Sequence, residues 1–169
     1  MSKFNGYEFY NDKQVSICNS IPSGYVNASV NTKIISVFIP ANTFVAGDIL
    51  HIEYRLRLTG LTTGNLIQYL YWNETDDLTT PVQLMTRTYS NANVNAVHNR
   101  RLSISVANGT GNGSILYGVG NALDSDFAVA SFAISTGVSL NWTVDSYIII
   151  AGYSGTGTGV RSQFLKVTN

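Results

Sequence analysis

The side chains able to do chemistry are few, and their spacing sets up none of the familiar reactions. His51 and His98 are the only histidines, and Cys18 is the only cysteine. His51 stands between Leu50 and Ile52 on the polar side of an alternating stretch, and His98 precedes Asn99-Arg100-Arg101. Neither histidine has the paired spacing of metal ligands, and no cysteine cluster completes a zinc site. Any serine-rich chain permits a serine–histidine–aspartate arrangement, but no Gly-x-Ser-x-Gly elbow marks one. The acids form two local groupings, Glu74 with Asp76-Asp77 and Asp124 with Asp126. Neither has the spacing of a dedicated calcium loop or forms a recognisable glycosidase pair, so both read as turn caps. Gly155-Thr156-Gly157-Thr158-Gly159 is followed by the alternating Val160–Leu165 rather than a helix, which makes it a hairpin loop and not a phosphate cradle. The expectation is a chain with no catalytic residue, no cofactor and no metal, hence not an enzyme.

Two sets of residues are better suited to contact than to catalysis. In Leu66–Trp72, Leu66, Gln68, Leu70 and Trp72 share one face, and Ile67, Tyr69 and Tyr71 share the other. If the first face meets the core, Tyr69 and Tyr71 point outward. A tyrosine there suits a subunit interface or a sugar ring, because it combines apolar area with a hydroxyl. The second set is Glu53, Arg55 and Arg57, on the charged side of the stretch from Asp48 to Thr59. They are candidates for pairing between subunits, or else a solvated strand face.

The elements that must position these residues are strands. No segment of a dozen residues shows the apolar spacing of an amphipathic helix, whereas period-two alternation recurs. The clearest case is Asp48–Thr59, with Leu50, Ile52, Tyr54, Leu56 and Leu58 on one side and His51, Glu53, Arg55 and Arg57 on the other. Such a strand belongs to a sheet packed on one face only. Arg101–Val106 and Val138–Val144 read the same way, the latter with Leu140 and Trp142 inward. Further strands are predicted at 33–39, 66–72, 82–89, 114–119, 127–134, 147–152 and 160–167. Turn signals separate them, among them Pro40-Ala41-Asn42, residues 60–64, residues 73–77 and Asn108-Gly109-Thr110-Gly111-Asn112-Gly113. Short links between many strands predict an all-β, antiparallel two-sheet sandwich of roughly 8–10 strands. Residues 1–24, with Phe4, Tyr7, Phe9 and Tyr10, lack this alternation and are read as an arm or edge segment, leaving 25–169 as the sandwich.

Bulk properties bound the partners. The 169 residues fit one domain, and 44% of them are apolar. Only 12% are charged, about half the usual share, and formal net charge is zero. Nucleic acid is a poor partner for such a chain, because phosphate binding needs an excess of lysine and arginine. A charge-poor surface also repels its own copies weakly, which favours a homo-oligomer. No apolar run is long enough to insert in a membrane. Met1-Ser2-Lys3-Phe4 shows no leader, so the Asn-x-Ser/Thr sites at Asn27, Asn73, Asn108, Asn112 and Asn141 are read as products of composition.

Three stretches together resemble jelly-roll domains of tailed-bacteriophage structural proteins, including head-fibre, tail-fibre and other appendage proteins. They are Ile39–Leu50 (IPANTFVAGDIL), Ile52–Gly60 (IEYRLRLTG) and Leu140–Ile150 (LNWTVDSYIII). The likeness extends over about residues 30 to 168. It implies a sandwich of jelly-roll type and a virion component, often a homotrimer, made in the host bacterial cytoplasm. Its expected partners are further copies and other virion proteins. The alternative is a module recognising a host-surface polysaccharide. The resemblance carries no catalytic motif.

Overall fold

The alternation of residues 48–59 becomes β5 (Ile49–Gly60). Leu50, Ile52, Tyr54 and Leu56 are wholly buried, and Glu53 and Arg55 between them stay exposed. The computed structural model describes residues 2–4, 7–9, 15–21, 30–60, 66–89, 97–107, 112–118, 133–154 and 158–169. Before β5 come β1 (Ser2–Phe4), β2 (Tyr7–Phe9), β3 (Ser16–Asn19) and β4 (Thr32–Ile39). After it come β6 (Leu66–Asn73), β7 (Val82–Tyr89), β8 (Val97–Ala107) and β9 (Asn112–Gly118). The last three are β10 (Ala133–Ser139), β11 (Ser146–Ser154) and β12 (Thr158–Thr168). Among the described residues no helix is long and apolar enough to cross a membrane.

The strand order is that of a jelly roll. One sheet runs β10-β9-β8-β5-β12-β3 and the other β4-β11-β6-β7, every pairing antiparallel. The pairs β6·β7, β5·β8, β4·β11 and β3·β12 make one long ribbon whose tip is the loop 74–81. Rolling that ribbon brings β12 against β5 and β11 against β6, which splits it into two facing sheets. Eight strands form the roll. The pair β9–β10 widens the first sheet, and β1–β2 make a separate two-stranded sheet. Strand β3 is too short to show alternation in sequence, but it belongs to the roll.

Between the sheets, Ile35, Val37, Leu70, Ile148 and Ile150 face Leu50, Ile52, Leu102, Ile104, Leu165 and Val167 in one buried cluster. Burial of each such side chain contributes roughly 1.5–3 kcal/mol. One polar contact crosses this core: the Gln68 amide on β6 donates to the Tyr54 hydroxyl on β5, and both residues are fully buried.

The predicted strand 138–144 is corrected. β10 stops at Ser139, and residues 140–145 turn into β11. Asn141 Oδ1 accepts from the backbone N–H of Thr143 at 3.1 Å and from its hydroxyl at 2.7 Å, and such side-chain bonds compete with a strand ladder. Leu140 and Trp142 are nevertheless buried, since the turn closes the end of the sandwich. Trp142 packs edge-on against Phe44 and Trp72, with ring centroids 5.5 and 6.4 Å away. Of the predicted strand 127–134 only residues 133 and 134 are described, and they start β10. Asp124, Asp126 and residues 155–157 lie outside the described residues.

Both ends of the roll are tied at the same pole. Val15 donates to Asn169 Oδ1 at 2.7 Å, and the Asn169 N–H returns to the Val15 carbonyl at 3.3 Å. At the side, the Asn19 amide donates to the Ser36 carbonyl at 2.8 Å, joining β3 of one sheet to the outer edge of β4 in the other.

The Gln68–Tyr54 contact yields a prediction. Tyr54→Phe takes one acceptor from a fully buried amide while keeping the ring, so it is expected to cost about 1–3 kcal/mol. Denaturant unfolding against the unchanged protein measures this, and a loss near zero would show that the contact contributes nothing.

Candidate functional site

Alternation on β6 sends Gln68, Leu70 and Trp72 into the core and places Tyr69 and Tyr71 on the outer face of the second sheet. The two rings stack with centroids 5.5 Å apart and planes 8° from parallel. Tyr71 is nonetheless buried, together with its cross-strand neighbour Ile149 and with Ala151. Tyr69, Tyr147 and Leu78 pack around these three as a second small core. Leu78 belongs to the ribbon tip, which folds back over the sheet as a strap. A single leucine within the polar stretch Asn73–Thr80 is the sequence signal for this cover.

Hydrogen bonds internal to the strap hold it in shape. The Asn73 amide nitrogen lies 3.1 Å from the Thr75 hydroxyl and from the carbonyls of Asp77 and Thr79. Asp77 Oδ1 accepts from the Thr79 N–H at 2.7 Å and from the Thr75 hydroxyl at 3.1 Å. These bonds, led by the Thr79 N–H, hold the Asp77 carboxyl below the ordinary aspartate range. Lys33 on β4 reaches across to the strap and pairs with the Asp76 carboxylate at 2.8 Å and its carbonyl at 2.8 Å. That ion pair is substantially exposed and is worth under about 1 kcal/mol. The strap is therefore seated mainly by Leu78 and its own turn. Asn31 donates to the Tyr71 hydroxyl at 2.9 Å. Burial raises the Tyr71 phenol above its ordinary value, Asn31 opposes that rise, and Tyr69 adds to it.

Tyr71 therefore offers no free ring face. What this side presents is a row of partly exposed rings: Tyr69, Tyr147, and Phe38 at 5.3 Å from Tyr147.

Glu53, Arg55 and Arg57 lie on the opposite side of the molecule, on the outer face of the first sheet. The two candidate sets do not form one site. Glu53 is directly across from Lys166 on β12 and Arg101 on β8. Arg55 donates to Asn99 Oδ1 and lies over the Phe164 ring, 5.6 Å from its centroid. Arg57 is opposite Arg161, a like-charged neighbour. His51 shares this face, with Nδ1 2.9 Å from the Ser103 hydroxyl. The pair sits on an open sheet surface, and among the described residues no carboxylate is bonded to the ring. Among the described residues no three His, Cys, Asp or Glu side chains gather to hold a metal ion. No protein-family profile matches the chain, and no curated protein matches it.

The strap carries a pH prediction. Asp77 has a folded-state pKa below its ordinary value, so its contribution is complete above the aspartate range. It is lost as pH falls through the lowered value. Hydrogen-exchange protection of the Thr79 N–H is expected to fall in that acid window, and Asp77→Asn is expected to flatten the dependence. Unchanged pH dependence in the variant would remove Asp77 as the cause.

Proposed function

We propose that the protein is a non-enzymatic virion structural component of a tailed bacteriophage, a fibre, appendage or decoration piece that acts by self-assembly. The observation that carries self-assembly is the hairpin β1–β2, which belongs to neither sheet. Its register is Ser2↔Phe9, Lys3↔Glu8 and Phe4↔Tyr7. Two strands of three residues are too little to be stable alone, since independent stability takes at least a third strand or a packed apolar face. Val15, which follows in the sequence, is clamped at the pole. An aromatic-rich hairpin outside both sheets suits attachment to a neighbour. The jelly-roll topology and the three stretches described above support the virion setting.

Light scattering at micromolar concentration is expected to give a discrete multiple of the chain mass. Replacing Phe4, Tyr7 and Phe9 together by serine is expected to weaken association at least about tenfold, as loss of aromatic anchors does. A clean monomer would sink the assembly reading. Mass spectrometry of purified phage particles tests the virion setting, which fails if the protein is missing from them.

A second reading is a module for host-surface polysaccharide. It is favoured by the partly exposed row Tyr69, Tyr147 and Phe38, because flat rings stack on sugars. A glycan array is then expected to show hits that Tyr69→Ala weakens. An array without hits removes this reading.

A further inference from the structure

The chain has equal numbers of basic and acidic residues, ten of each, and the fold separates those whose side chains are described. Arg55, Arg57, Arg101, Arg161 and Lys166 share the outer face of the first sheet, on the adjacent strands β8, β5 and β12. Among the described residues the one carboxylate on this face is Glu53. Among the described side chains, five cations thus meet one acid on this face. The other described acids lie elsewhere. Asp48, Glu74, Asp76, Asp77 and Asp145 all lie in the loops 40–48, 74–81 and 140–145. Loops 40–48 and 140–145 meet at one pole, where the Asn42 N–H donates to the Trp142 carbonyl and the Ala41 N–H to the Asp145 carboxylate, and loop 74–81 leaves β6 at that pole before folding back over the second sheet. There Lys33 pairs with Asp76. A neutral protein is in this way a polar one, with a flat basic face and an acidic end.

We infer that the basic face of one copy docks on the acidic pole of the next copy. The inference rests on the self-assembly reading and names the surface that assembly uses. The occupant follows from charge complementarity, since among the described side chains five cations with Glu53 on the basic face oppose five carboxylates with Lys33 on the acidic loops. Opposed patches of this kind steer encounter and fix orientation. The contact joins two different surfaces, so it is heterologous and builds a closed ring or an open filament rather than a two-fold dimer. Arg55 is already oriented by Asn99 and Phe164, so less of its freedom is lost on contact.

Sedimentation of the full-length protein in 50 and 500 mM salt tests this. Association is expected to weaken at least about tenfold at the higher salt, because exposed charges are screened there. The double variant Arg57→Glu, Arg101→Glu is expected to dissociate at low salt, and so is Glu74→Lys. Mixing the two variants is expected to restore a heterodimer. Unchanged melting of each variant establishes that the sandwich is intact, and an unfolded variant would show instead that these charges serve the fold. A monomeric unaltered protein overturns both this inference and the assembly reading. A salt-independent oligomer indifferent to the substitutions overturns only the inference. Unaltered self-association accompanied by lost binding to dextran sulfate in the double variant would assign the face to a polyanion and overturn it as well.

Discussion

The roll is closed by β12 lying against β5. Until these strands meet, the chain is a ribbon with one apolar side and nothing to cover it. Their register sets Leu165 beside Tyr54 and Val167 beside Ile52, so the fully buried face of β5 continues onto the last strand. A register shift between Ser162 and Phe164 interrupts the pairing. It lets buried Ser162 and outward Phe164 lie only two residues apart without breaking the strand. Ser162 Oγ lies 3.2 Å from the Phe164 carbonyl and 3.5 Å from the Arg55 carbonyl, which helps satisfy backbone groups that the irregularity displaces. Phe164 is thereby placed under Arg55. The same closing contact that completes the core also sets the stance of a cation on the surface.

The two outer faces are finished differently, and the ribbon explains why. Its tip is a loop long enough to fold back, and Leu78 makes folding back favourable because Tyr71, Ile149 and Ala151 lie beneath. The second sheet thus has apolar contacts on both sides. Among the described residues no such flap covers β5 in the first sheet, whose outer residues are those that tolerate water: Glu53, Arg55, Arg57, Arg101 and Lys166. Covering one face draws the acidic strap toward that side, while the other face keeps the arginines. The separation of charge follows from the topology, whatever the net charge.

What the sequence made legible was whatever is decided by neighbours two residues apart. β5 was readable because five apolar and four polar residues alternate without a break, and so was the inward set of β6. Residues 138–144 alternate as well, but there the pattern records burial and not a strand. Leu140 and Trp142 plug the end of the core while Asn141 bonds its own turn. The fate of Tyr71 was hidden because its cover comes from Leu78 in a loop that looks merely polar. The company of Arg55 was hidden for a related reason. Phe164 is more than a hundred residues away in sequence, and its side of the strand is set by a register irregularity that alternation does not anticipate.

The composition also takes on a narrower meaning. A surface so poor in charge invites the reading that contacts between copies have replaced it, but the asparagines show another use. Asn19 caps an edge carbonyl, Asn31 holds the Tyr71 hydroxyl, and Asn73 organises the strap. Asn99 receives Arg55, Asn141 fixes a turn, and Asn169 clamps Val15. An amide offers both a donor and an acceptor on a short stem, so it can satisfy backbone groups at strand edges and turns with little loss of side-chain freedom. Six of the seventeen asparagines are therefore used in bonds within the molecule. Low charge by itself no longer argues for a partner. What does argue for one is placement: a hairpin outside both sheets, and cations and carboxylates gathered on different surfaces of the same roll.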